Sequence, residues 1–133
     1  MKLTEIDPPR RFEVGLRGAT LAHVADVQLE PDEVLTFKTP SGTELDIARK
    51  EWGYYGSPSL NGRLRDFGLR AALALGVPRS GDEAPRMYLM LVEDGREQAF
   101  ADYMEAEGMR VLAWLDSDQA VAEATRQLEK EAD

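Results

Sequence analysis

From residue 12 to residue 48 the apolar positions fall on every second residue. Phe12, Val14 and Leu16 share one side of "FEVGLR", and Leu21, His23, Ala25, Val27 and Leu29 share one side of "TLAHVADVQL". Leu35 with Phe37, then Leu45 with Ile47, continue the alternation. A period of two sends successive side chains to opposite faces of a strand. The pattern therefore predicts half-buried antiparallel strands over 12–17, 20–29, 34–38 and 43–48. Gly18, "EPDE" at 30–33 and "TPSG" at 39–42 supply the turns between them. The predicted product is a small curved antiparallel sheet or a partly open small barrel.

The period then changes. "RMYLMLVE" at 86–93 is almost continuously apolar, as a strand covered on both faces would be. Residues 96–107 place Ala99, Phe100, Tyr103 and Met104 on one helical stripe, and Gly108 is a natural stop. "RVLAWL" at 110–115 reads as a second buried strand, with Trp114, like Met90 before it, in the core. Asp116 or Ser117 can cap a last helix running to about residue 130, with Val121, Ala124 and Leu128 inward. Strand, helix, strand in that order predicts a right-handed crossover between parallel neighbours. The terminal "EKEAD" is expected to fray.

Between the halves, Pro58 opens a short helical turn near 58–65. Phe67, Leu69, Ala71, Leu73 and Leu75 then alternate. A helix here would lose about 1 kcal/mol at each of Gly62 and Gly68, so a strand is predicted, pairing with 86–93. The connecting "VPRSGDEAP" reads as a lid or a long hairpin loop. The fold class is α+β: an N-terminal antiparallel β portion (about 11–76) followed by a strand–helix–strand–helix portion (about 86–131). One mixed domain over 1–133 is predicted, since neither half alone would bury much.

A chain of 133 residues is long enough for its own core. It contains no cysteine, which excludes disulfides, thiolate metal sites and a cysteine nucleophile. That composition, and an N-terminus without an apolar leader segment, predict a cytoplasmic protein with no membrane partner. The net charge of −9 opposes a nucleic-acid surface, which needs a basic stripe. Its distribution is uneven: −2 over residues 1–50, +2 over 51–81 and −9 over 82–133. The one positive third contains "WGYYGSPSLNGRLR" at 52–65, with three of the chain's ten aromatic residues.

Phosphate-loop, dinucleotide, zinc-protease and nucleophile-elbow motifs are absent, and a single histidine cannot make a multi-histidine metal centre. No metal and no cofactor is expected. His23 lies by parity on an apolar strand face, where a backbone hydrogen bond is the commoner role than a general base. In the 52–65 stretch, Tyr54 and Tyr55 can wall or stack on a ligand, and Ser57, Ser59 and Asn61 offer hydroxyls and an amide. Arg63 and Arg65 offer forked donors for carboxylate or phosphate. If the stretch is a strand, Trp52 and Tyr54 share a side. The competing reading is a turn: Ser57 as a cap, glycines at special dihedrals, and the arginines solvated or paired with Glu51 and Asp66.

Three functions fit this pattern. The first is an accessory or binding protein for an anionic or sugar-like small molecule. The second is a cofactor-free enzyme with Tyr54, Tyr55 or His23 as acid–base groups and Arg63 or Arg65 on an oxyanion. The third is a structural or protein-interaction module that forms a homo-oligomer through edge strands or the aromatic patch.

Overall fold

The computed structural model describes residues 1–56, 58–76 and 84–132. Among them are eight strands in three small antiparallel sheets and three helices, and no barrel closes. The chain divides into two compact units, Met1–Phe37 with Asp46–Ser57, and Lys38–Leu45 with Pro58–Asp133.

In the first unit, β1 (Lys2–Val14) pairs antiparallel with β2 (Ala19–Gln28) through a turn that holds Gly15 and Gly18 at φ 77° and 66°. β1 begins ten residues before the alternation at Phe12, because "DPPR" breaks its period: the register slips between Glu5 and Arg10. Leu16, expected in the strand, lies in the turn. Phe12 faces Leu21 and Leu3 faces Val27, so the apolar parity is as expected. The burial is not, since Leu3, Val14, Leu21 and Val27 are all exposed. A two-stranded ribbon has no second layer to cover that face.

β3 (Val34–Lys38), β4 (Glu44–Lys50) and β5 (Gly53–Gly56) form the second sheet in that order. The turn before β3 is tied to β4 by Asp32 N–H to Arg49 O (2.7 Å) and Arg49 N–H to Glu33 O (2.9 Å). β4 and β5 make a tight hairpin, pairing Arg49 with Tyr54 and Ala48 with Tyr55.

In the second unit, a four-residue α1 (Arg63–Asp66) leads into β6 (Leu69–Gly76), the strand expected there. The helix starts later than Pro58, because the Ser59 carbonyl first closes a turn with Gly62 N–H (3.2 Å). β7 (Arg86–Glu93) pairs with β6 in the expected antiparallel register, Leu73 opposite Leu89. α2 (Glu97–Ala106) then leads to β8 (Arg110–Trp114), and α3 (Asp118–Ala132) ends the chain.

The strand order is β7–β6–β8. β7 and β8 are both antiparallel to β6, hence parallel to each other, but they are not neighbours as the strand–helix–strand order predicts. β6 had already taken the inner edge of β7 through a local hairpin, so the crossover through α2 delivers β8 to the far side of β6.

The hydrophobic cluster sits at one end of this sheet. Leu64 (1% exposed), Leu69 and Ala71 pack with Leu45, Leu60, Leu91 and Leu115. α2 lies over the opposite face, where Phe100 meets Trp114 edge-on at 5.9 Å and Met104 and Val92 are buried. Ala99 and Tyr103, assigned to the inward stripe, are exposed. Gly108 stops α2 as expected: at φ 66° it donates to Glu105 O, while Met109 N–H reaches Met104 O.

Candidate functional site

The 52–65 stretch divides between the two units. Trp52, Tyr54 and Tyr55 belong to the first, Ser59, Asn61, Arg63 and Arg65 to the second, and Ser57 lies outside the described residues. The loop 77–83, where a lid was considered, also lies outside them.

In the first unit all three aromatics are exposed. Trp52 occupies the β4–β5 turn rather than a strand, so it does not share a side with Tyr54. It stacks on Tyr55 instead, with ring centres 6.1 Å apart. The Arg49 guanidinium lies 5.6 Å from the Tyr54 ring centre. His23 is half-buried, and its Nε2 meets Asp26 Oδ1 at 2.8 Å rather than a backbone carbonyl.

In the second unit the polar residues of the stretch are engaged locally. Ser59 Oγ accepts the N–H of Arg63 (3.1 Å), and Asn61 Nδ2 donates to Asp118 Oδ1 (2.9 Å). Arg63 lies over Phe67, 4.3 Å from the ring centre. Arg65 pairs with Asp116 (3.3 Å) and Asp94 (3.7 Å), not with Glu51 or Asp66. Asp116 also takes the Nε–H of Arg70 at 2.7 Å, and Arg70 in turn lies over Trp114. Burial pushes the Asp116 carboxyl up, but the Arg70 hydrogen bond and the two guanidinium charges outweigh it and hold its pKa below the ordinary value. The same hydrogen bond raises Arg70.

The 58–66 segment thus closes a turn and anchors the start of α3. A Cβ at Gly62 would come within 2.3 Å of Ser59 Oγ and displace the hydroxyl that accepts Arg63 N–H.

The sequence did not single out Glu93 at the end of β7. Its Oε1 accepts hydroxyls from Thr39 (2.6 Å), Thr43 (3.2 Å) and Ser41, which fastens the 38–45 hairpin tip to the sheet. The Ser41 and Thr39 hydrogen bonds hold its pKa below the usual carboxylate value. Beneath α2, an open groove of about 650 Å³ has an apolar floor of Phe100, Met104, Val111 and Trp114 and an acidic rim of Glu97 and Glu105. No cluster of His, Asp and Glu among the described residues is arranged to hold a metal ion.

The largest departure from expectation is apolar. On the face of the second unit's sheet opposite α2, the described residues build the hydrophobic cluster at the Leu69–Leu91 end. Toward the other end Met87 is 59% exposed and Leu89 54%; on β8, across β6, Leu112 is the extra residue of a bulge and is 41% exposed. The run at 86–93, read as buried on both faces, is therefore open over its first four residues. Met90 and Trp114, assigned to the core, are half-buried.

α3 mirrors this. Ser117 caps it, with Oγ accepting Ala120 N–H at 3.0 Å, yet Val121, Ala124 and Leu128 all face solvent rather than turning inward. The signal for this surface was in the sequence, as an apolar run and an amphipathic stripe. Both were read as already covered.

No family model, curated protein or solved structure matches the chain. No helix among the described residues is long and apolar enough to cross a membrane.

Proposed function

We propose that the chain is a protein-interaction module that works through the open sheet face of its second unit. The observation that carries this reading is the exposure of Met87 and Leu89 on β7 and of Leu112 on β8, on either side of β6. A contiguous apolar patch in contact with water is costly, and its usual purpose is a partner. The anionic small-molecule reading draws less support, since Arg65 and Asn61 already hold the carboxylates of Asp116 and Asp118.

Hydroxyl-radical footprinting tests the proposal, with buried Met104 as the internal standard. Met87 in a monomeric sample should oxidise much faster than Met104, and Leu89→Asp should leave the chain folded, as an exposed substitution does. A monomer that protects Met87 as well as Met104, and that unfolds with Leu89→Asp, would make this face ordinary core and end the reading.

A further inference from the structure

We infer that the partner is a second copy of the chain, each copy laying its α3 across the open sheet face of the other. The inference rests on the interaction reading above and names the occupant of that surface.

Among the described residues the second unit exposes two sets of apolar side chains, one on the sheet and one on a helix. The α3 stripe is Val121, Ala124 and Leu128, with Thr125 beside it turning its hydroxyl back to Val121 O (2.7 Å). Leu128 is 68% exposed. A lone helix of 15 residues is marginal in water and needs its apolar side packed.

The chain's own sheet does not receive that side, because the start of α3 is pinned on both flanks. Leu115 is in the hydrophobic cluster, and its N–H bonds Ala71 O at 2.8 Å. Asp116 is held by Arg70 and Arg65, and Asp118 by Asn61. These ties fix the direction in which the helix leaves, with its stripe facing solvent.

Charge and area both favour a second copy. Asp118 and Glu129 border one flank of the stripe and Glu131 the other. On the open face, Arg110 stands at the end of the sheet, opposite Leu75, whose neighbour on the other side is Met87. Arg110 has no acidic partner among the described residues. A helix about 22 Å long and 10 Å wide removes on the order of 400 Å² of accessible surface on each side of its contact. Two reciprocal contacts reach about 1,600 Å², a standard specific interface, whereas one contact alone falls below the roughly 1,200 Å² at its lower limit.

The absence of native cysteine allows a direct test. Leu89→Cys and Leu128→Cys are purified separately, mixed and oxidised. Reciprocal docking predicts a covalent heterodimer of the two variants, twice the 14.8 kDa mass for the native chain in sedimentation, and a monomer after truncation at residue 117. Arg110→Glu should weaken the dimer about tenfold. A native chain still monomeric at about 100 µM, above the micromolar limit for interfaces of this area, overturns the second copy. If Met87 stays oxidisable in that monomer, the interaction reading survives with another partner. An intrachain disulfide in the monomeric double variant overturns both, since α3 would then cover its own sheet.

Discussion

Asp116 ties α1 and β6 to the start of α3 through Arg65 and Arg70. Its side chain is 5% exposed, it neutralises Arg70 and Arg65, and it sits where β8 ends and α3 begins. Asp116→Asn should cost about 2 kcal/mol, the scale of a hydrogen bond to a charged group, as measured by urea unfolding at neutral pH. Because the folded state lowers the pKa of Asp116, its contribution is complete above the unfolded carboxylate value. That contribution is lost as pH falls through the lowered value. Glu93 acts in the same direction through its hydroxyl bonds. The native chain should therefore lose stability on acidification more steeply than Asp116→Asn does, and a flat acid limb in the native chain would contradict this. Gly68 makes a separate demand: φ is +93°, and a Cβ would lie 2.9 Å from Thr43 Cγ2. Gly68→Ala should cost more than about 1 kcal/mol in the same assay.

Among the elements, α1 and α3 hold opposite positions. α1 is four residues long and has no stability of its own, but it places Leu64 at the centre of the cluster. Leu64→Ala should destabilise the second unit by about 2–5 kcal/mol in thermal or urea unfolding. α3 has 15 residues and a regular stripe, yet Val121 is 40% exposed and Leu128 68%. Leu128→Asp should change the stability of the monomer by no more than about 0.5 kcal/mol. The same substitution should abolish self-association. A large loss of monomer stability would mean that the helix packs within its own chain.

For the molecule as a whole, the open sheet end and α3 both lie in the acidic C-terminal segment 82–133, which carries nine more acids than bases. Arg110 is the basic residue on the open face, opposite Leu75. Association through apolar contact with a charged rim should weaken as salt rises, because exposed pairs are screened beyond about 10 Å at 0.1 M ionic strength. Sedimentation at two salt concentrations measures this. Salt-strengthened association would point to an apolar contact without the arginine rim.

What was legible in the sequence was local. Alternation located β2, β3, β4 and the strand at 69–76, Ser117 capped α3, and Gly108 stopped α2, because each depends on neighbours a few residues away. In the 52–65 stretch the residue types were legible but their partners were not. Arg65 meets Asp116 and Asn61 meets Asp118 across more than fifty residues, and that pairing turns the second half of the stretch into an anchor for α3. The amino-acid sequence by itself determined which residues must alternate, turn and cap, and which side of each element seeks cover. Only the tertiary structure decided that β6 lies between β7 and β8, and that the apolar sides at Met87–Leu89 and along α3 are left open. Periodicity records that a face is apolar, whereas what covers it is set by long-range packing that no local pattern encodes.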